Sequence, residues 1–90
     1  MAPIRWTNHA LESLVDRDLP REVAEQTLRD PEFRVSGHSG RTVFARLYHD
    51  EELGQEMLMC VVTEERGDET IGVTVYRTSK IGKSLRGEGS

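Results

Sequence analysis

The chain has 90 residues, of which 36% are hydrophobic and 31% are charged, and its formal net charge is −4. This length supports one domain, and the composition is that of a soluble globular protein without a membrane span or a signal-peptide core. The single cysteine, Cys60, excludes an internal disulfide framework. Because Cys60 lies within an apolar run, we expect a buried, unreactive thiol and a reducing, cytoplasmic setting.

The first third of the chain predicts a short strand followed by a helical hairpin. Residues 4–6 favour an edge strand, and Thr7 or Asn8 can cap a first helix. The apolar positions of that helix lie on one face: Ala10, Leu11, Leu14 and Val15. Residues 18–20 end it and start a second helix, which runs to about Arg29, because proline is tolerated in a first helical turn but not in a helix interior.

From Phe33 onward the hydrophobic period changes from 3.6 to 2, which predicts strands. The predicted strands are 33–36, 42–48, 57–63 and 70–77, with an acidic loop at 49–56 and a hairpin turn at 64–69. The order of elements predicts an α+β fold: an N-terminal short strand, a two-helix hairpin, then a four-stranded antiparallel sheet with the helices on one face. Residues 1–77 form this single domain, and residues 78–90 form a basic tail.

Alternation along the strands assigns the side chains to two faces of the sheet. We expect the helices to cover an aliphatic set: Val35, Val43, Ala45, Leu47, Ile71, Val73 and Val75. The opposite face then carries a polar and aromatic set: Arg34, Ser36, His38, Phe44, Arg46, Tyr48, Thr74 and Tyr76. Guanidinium groups can clamp phosphate, and tyrosine or histidine can transfer a proton or stack on a base. The alternative is an ordinary solvated face with cross-strand pairs.

Positive charge collects without an opposing acid at the end of the last strand and in the tail: Arg77, Lys80, Lys83 and Arg86. This segment is either a phosphate-contacting extension of the sheet or a solubilising chain end. The histidines, cysteine and carboxylates lack the spacing of a metal site, and the sequence predicts no metal and no cofactor.

Several short motifs between Ile4 and Tyr76 form a pattern: His9-Ala10, Arg17, the Leu19-Pro20 break, Leu28, Pro31, Gly40-Arg41 and Val73-Thr74-Val75-Tyr76. The pattern resembles a small bacterial domain family of unknown function, which in turn is similar to the RelE/ParE-type toxins of toxin–antitoxin systems. The resemblance implies that the open sheet face and last strand bind RNA or a target protein, and that an antitoxin segment can cover this surface. The positions of this sequence that match the family's motifs are His9, Arg17, Arg41 and Tyr76, and the resemblance implies functional roles for them.

Two functions from different classes follow. The first is a toxin-like, metal-independent endoribonuclease with His9, Arg46 and Tyr76 as catalytic residues, in which Arg46 helps to bind phosphate and Tyr76 or His9 moves a proton. Its RNA or phosphate contacts would come from Arg17, Arg41, Tyr48, Arg77, Lys80 and Lys83. The second is a non-catalytic protein-interaction domain that docks a partner, or a second copy as a homodimer, through a sheet edge.

Overall fold

The computed structural model describes residues 4–37 and 40–79 of the chain. Its elements in chain order are β1 (Ile4–Trp6), α1 (Asn8–Asp16), α2 (Arg21–Arg29), β2 (Phe33–Ser36), β3 (Arg41–Asp50), β4 (Gln55–Arg66) and β5 (Glu69–Thr78). The predicted α+β class and the predicted order of elements are confirmed. Neither helix in the described part of the chain is long and apolar enough to span a membrane.

The five strands form one mixed sheet in the order β1-β5-β4-β3-β2. Strands β2 to β5 are antiparallel neighbours, as predicted, whereas β1 pairs in parallel with β5. A parallel pair needs a long crossover, and here the two helices and three strands lie between its members in sequence. The prediction of a sheet with four strands was therefore incomplete, because β1 extends it to five.

The helical hairpin is fixed by local signals at its start and at its turn. Thr7 caps α1: its hydroxyl accepts a hydrogen bond from the Ala10 amide at 3.1 Å, and its own amide donates to the Gly72 carbonyl at 3.0 Å. At the turn, Asp18 adopts a left-handed backbone conformation with φ +53°, and the Leu19 amide donates to the Leu14 carbonyl at 2.8 Å. The local contacts set the turn of the hairpin, and the bond from Thr7 to Gly72 joins the start of α1 to the last strand.

The main core lies between the hairpin and one face of the sheet, which we call the helix-covered face. Its buried residues are Ala10, Leu14, Leu19, Ala24, Met59, Val61 and Val75, and Trp6, Leu11, Val23, Leu28 and Tyr48 pack against them. The prediction that Val15 belongs to the buried stripe was wrong, since Val15 is 79% exposed. Successive helical residues rotate by about 100°, so burial of Leu14 turns its neighbour outward.

Trp6 packs directly on Gly72 at the parallel pair of strands. A Cβ atom at Gly72 would lie 2.6 Å from the indole ring, closer than any side chain tolerates. The ring therefore requires glycine at position 72. The absence of a side chain there allows β1 to pair closely with β5.

The structure corrects several predicted features of the strands. The acidic loop is shorter than 49–56, because His49 and Asp50 pair with Glu56 and Gln55 and extend the β3–β4 hairpin. The face assignments of β2 and β3 were also wrong, since Val35 pairs with Val43 of the second apolar cluster and Arg34 pairs with Phe44 on the other side. Arg46 pairs with Met59 of the main core, so Arg46 and Tyr48 lie on the helix-covered face.

The aliphatic residues of β3 consequently lie on the opposite face, which we call the helix-free face. It carries a second apolar cluster, formed by Ala45, Leu58 and Cys60 with Phe33, Val43, Leu47 and Tyr76. In β5 the prediction is confirmed for Val75 on the covered face and Tyr76 on the free face. A register shift at Val62/Thr63 reverses the alternation beyond it, so Ile71, paired with Glu64, lies on the helix-free face instead.

Candidate protein-interaction surface

The helix-free face has an apolar row across four strands and a shorter, mainly apolar row beside it. One row joins Phe33, Ala45, Cys60 and Tyr76, which are cross-strand partners along β2, β3, β4 and β5. The next row joins Leu47, Leu58 and Thr78. Cross-strand partners point to the same side of a sheet, so these rows form one apolar surface. Both described helices pack on the other side.

Cys60 and Tyr76 form a pair at the centre of this face. Burial raises the pKa of the Cys60 thiol, although its contact with the Tyr76 hydroxyl opposes that shift. Burial, with smaller contributions from Cys60, raises the pKa of Tyr76 to about 12. At neutral pH both groups are therefore uncharged. Such a pair suits an apolar contact surface and is poorly suited to proton abstraction near neutral pH.

Arg46, predicted to be catalytic, has a structural contact on the helix-covered face. Its Nη1 atom donates to the backbone carbonyl of Asp30 at 2.7 Å and lies 3.4 Å from the Asp30 carboxylate. Asp30 is the C-cap residue of α2. A cation at the C-terminus of a helix satisfies its free carbonyls and complements its dipole. Arg46 thus fastens the end of α2 to the sheet.

Tyr48 and Arg77 meet at one carboxylate, that of Asp50. The Tyr48 hydroxyl and the Arg77 Nη1 atom both donate to Asp50 Oδ2 at 3.0 Å, and the Leu53 amide donates to Oδ1 at 3.0 Å. The Leu53 amide most strongly, with help from Tyr48 and Arg77, holds the pKa of Asp50 below its usual value. Burial, followed by the bond to Asp50, raises the pKa of Tyr48. The three side chains fix the β3–β4 turn to the end of β5.

The remaining candidate residues are also dispersed. The Arg17 Nη1 atom donates to the Val75 carbonyl at 3.1 Å, and Arg41 forms an ion pair with Glu64 at 2.9 Å that lowers the pKa of Glu64. His9 is exposed on α1. The three predicted catalytic residues therefore lie on three different surfaces, and Lys80 and Lys83 lie outside the described residues. No local sequence pattern indicates the partners of Arg46 and Arg77, which are distant along the chain.

The edges of the sheet are short or occupied by side chains. Strand β1 has three residues and β2 has four. Where β3 continues past β2, the Leu47 amide donates to the Glu32 carboxylate at 2.7 Å. Where β5 continues past β1, Thr7 and Arg17 donate to the Val73 and Val75 carbonyls. Such blocking protects a sheet from strand addition, so the face is the better docking surface.

A separate acidic cleft of about 500 Å³ lies between the hairpin turn and the β3–β4 turn. It is lined by Asp18, Leu19, Pro20, Glu22, Val23, Tyr48, His49, Asp50, Glu51 and Glu52. The Asp18 carboxyl, by hydrogen bonding and by its charge, raises the pKa of Glu52. The many carboxylates make this cleft unfavourable for a polyanion such as RNA. Within residues 4–37 and 40–79, no group of His, Cys, Asp and Glu side chains is arranged to hold a metal ion.

Comparison with known proteins assigns no family: no protein-family model, curated protein or solved structure matches this chain. The geometry of the described residues is therefore the basis for the functional proposal.

Proposed function

We propose that this chain is a protein-interaction domain that binds an apolar segment of a partner protein on its helix-free face. The observation that supports this is the apolar row of Phe33, Ala45, Cys60 and Tyr76, on a face to which neither described helix contributes. The centre of this face is already buried, but Phe33, Leu47 and Tyr76 around it are only half-buried. Removal of their remaining apolar surface from water would favour association. On the opposite face, the hairpin helices already pack on the sheet in this way.

An amphipathic helix is the partner segment that fits the dimensions of this face. Strands β2 to β5 span about 15 Å at the usual strand spacing. A helix of about ten residues has that length, and residues at its i, i+3, i+4 and i+7 positions would contact successive strands. Strand addition at an edge is less favoured, since the long strands have their free edges occupied by Glu32, Thr7 and Arg17.

The resemblance to RelE/ParE-type toxins agrees with this proposal in one respect, because it implies an antitoxin segment over the open sheet face. The partner would then be an antitoxin. RNA cleavage stays a prediction that no described contact favours. The arginines offered for phosphate binding each have a partner within the chain: Arg17, Arg41, Arg46 and Arg77.

Calorimetric titration with a purified partner tests the proposal. The first partner to examine is the product of any small reading frame that overlaps or adjoins the gene. Leu47→Asp places a charge on the helix-free face and should weaken binding by about tenfold or more, which corresponds to about 1.4 kcal/mol. Leu53→Asp is the matched control, because Leu53 lies in the β3–β4 turn and is 49% exposed.

Circular dichroism and thermal unfolding must show that both variants retain the fold. Equal losses of affinity in the two variants, or none in either, would contradict the proposed surface. RNA incubated with the purified protein gives the separate test of the ribonuclease hypothesis, and intact RNA would eliminate it.

A further inference from the structure

The helix-free face is bounded by charged side chains at both ends of its strands. At the end near the β4–β5 turn, strand alternation places three arginines and two glutamates on this face: Arg5, Arg41, Arg66, Glu64 and Glu69. Glu64 pairs with Arg41 at 2.9 Å and with Arg66 at 3.4 Å, and Glu69 pairs with Arg5 at 3.3 Å. Because two carboxylates are shared among three guanidinium groups, one positive charge is in excess here. We call this the arginine end.

The opposite end of the face, beside the β3–β4 turn, carries the opposite charge. His49 and Glu56 are cross-strand partners there, and their side chains lie 3.2 Å apart and are both exposed. With a neutral imidazole this pair has one negative charge, so we call this the acidic end. The adjoining turns add one carboxylate at the arginine end, Asp68, and two at the acidic end, Glu51 and Glu52. The acidic end therefore remains the more negative of the two.

The two charged ends lie at equal distances from the central row of the face. Ala45 and Cys60 are register partners in that row. In β3, Arg41 lies four positions before Ala45 and His49 lies four positions after it. Four residues of a strand correspond to about 13 Å. A half-turn about an axis that follows this row therefore exchanges the arginine end with the acidic end.

We propose that a second copy of this chain packs face to face on the helix-free face, with a twofold axis along the row of Ala45 and Cys60. Packed sheets lie about 10 Å apart, a gap that arginine and glutamate side chains can bridge together. The arginine end of each copy then lies over the acidic end of the other, so both charged contacts are attractive. A twofold axis along the strands would instead place the two arginine ends together. Charge therefore selects the first arrangement.

The size of the face sets the expected strength of this dimer. Its apolar contacts come from half-buried residues around the buried centre: Phe33, Val35, Val43, Leu47, Val62 and Tyr76. The five strands are about 19 Å wide, and the two charged ends are about 26 Å apart along the strands. Each copy therefore contributes about 500 Å², and the total of about 1,000 Å² is at the lower limit for a specific interface. We expect a weak dimer whose population depends on concentration.

The functional consequence of this dimer rests on the proposed function, because the second copy covers the same face that is proposed to bind the partner. The two occupants exclude each other. A partner can then bind only the fraction of chains that are monomeric, so its apparent affinity falls as the protein concentration rises.

Sedimentation velocity of the purified full chain tests the dimer through two charge reversals. Wild type should shift from monomer to dimer as its concentration rises to about 1 mM, and added salt should weaken the dimer. Arg41→Glu and Glu56→Lys should each weaken self-association about tenfold, because each makes both charged contacts repulsive. An equimolar mixture of the two variants should associate again. In the mixed dimer, the introduced carboxylate meets the introduced ammonium group, and the native Arg41 meets the native Glu56.

Arg21→Glu is the matched control, because it makes the same change of charge at an exposed position of α2, away from the helix-free face. It should neither weaken the dimer nor restore association when mixed with Glu56→Lys. Circular dichroism should show that all variants keep the fold.

A wild-type chain that stays monomeric up to about 1 mM would overturn the inference. A mixture of Arg41→Glu and Glu56→Lys that associates no better than either variant alone would also overturn it. Neither result decides whether a partner binds, which the titration with Leu47→Asp measures separately. Restored association in the mixture, together with no binding of any partner, would support the dimer and contradict only the proposed function.

Discussion

The two faces of the sheet are both apolar but are completed in different ways. On the helix-covered face, the hairpin packs on Met59, Val61 and Val75, and polar groups such as Arg46 are tied to the helix that covers them. On the helix-free face, Leu58 and Cys60 are buried although no described helix lies over them. Hydrophobicity therefore does not distinguish the face that holds the domain together from the face proposed to bind a partner. What differs between the two faces is the chain connection, because the hairpin between β1 and β2 packs on only one of them.

Leucine truncation on each face tests this comparison with the largest effect. Leu14→Ala removes a core contact of α1, and we expect it to lower the free energy of unfolding by about 2–5 kcal/mol. Leu58→Ala should have a similar cost in the full chain. Leu47→Ala, at a half-buried position of the helix-free face, should cost less than either. Urea denaturation measures all three values, and a cost for Leu58→Ala far below that of Leu14→Ala would show that the helix-free face contributes little to the core.

Gly72→Ala probes the helix-covered face alone and should have the next largest effect. The added methyl group would meet the Trp6 ring at 2.6 Å, and overpacking of this kind costs about 1–3 kcal/mol. We expect a lower denaturation midpoint together with a shift in Trp6 fluorescence. Gly54→Ala is the control, because nothing lies within 4 Å of a Cβ atom there, although Gly54 has a positive φ and some strain is expected. A Trp6 signal that changes equally in both variants would contradict the packing argument.

Substitutions of Arg46 and Tyr76, one on each face, distinguish a structural role from a catalytic one. Arg46→Ala removes the bonds to Asp30 and should lower the free energy of unfolding by about 1 kcal/mol. Tyr76→Phe keeps the ring on the helix-free face and removes only the hydroxyl, so its effect should be smaller. The ribonuclease hypothesis expects the reverse pattern, in which both variants lose RNA cleavage with unchanged stability. Parallel measurements of unfolding and RNA cleavage decide between the two.

The sequence predicted those parts of the fold that depend on neighbouring residues. Thr7 and Pro20 define the start of each helix within one turn, and the change of hydrophobic period at Phe33 marks the first strand of the antiparallel sheet. Pairing between distant segments was not predictable in the same way. The parallel contact of β1 with β5 joins residues more than sixty positions apart, and no local signal specifies it.

The candidate site was predicted only in part, for a related reason. Alternation in β5 placed Tyr76 on the free face, which the structure confirms. The same rule failed for β3, because Val43, Ala45 and Leu47 form an apolar set on the face that the helices do not cover. A local pattern shows that a face is apolar but does not show what covers it. The bonds from Arg46 to Asp30 and from Arg77 to Asp50 likewise join distant residues.

The smallest expected effects are changes in how stability depends on pH, measured for two carboxylates of the β3–β4 turn. The folded-state pKa of Asp50 is lowered by the Leu53 amide, Tyr48 and Arg77. Its contribution to stability is therefore present above its ordinary pKa of 3.8 and is lost as the pH falls through the lower folded value. Asp50→Asn should flatten this acid loss, measured by urea denaturation between neutral and strongly acidic pH.

Glu52 should show the opposite sign, because Asp18 raises its folded-state pKa above the ordinary value of 4.5. Two carboxylates that share a proton repel each other once both are ionised, so Glu52 destabilises the fold as the pH rises through its folded pKa. Glu52→Gln should therefore raise stability at neutral pH and lower it relative to wild type in acid. A parallel pH profile for Asp50→Asn and Glu52→Gln would show that the two groups do not have opposite roles. Opposite slopes would establish that the turn combines a stabilising carboxylate, tied to β5 through Arg77, with a strained one that faces the acidic cleft.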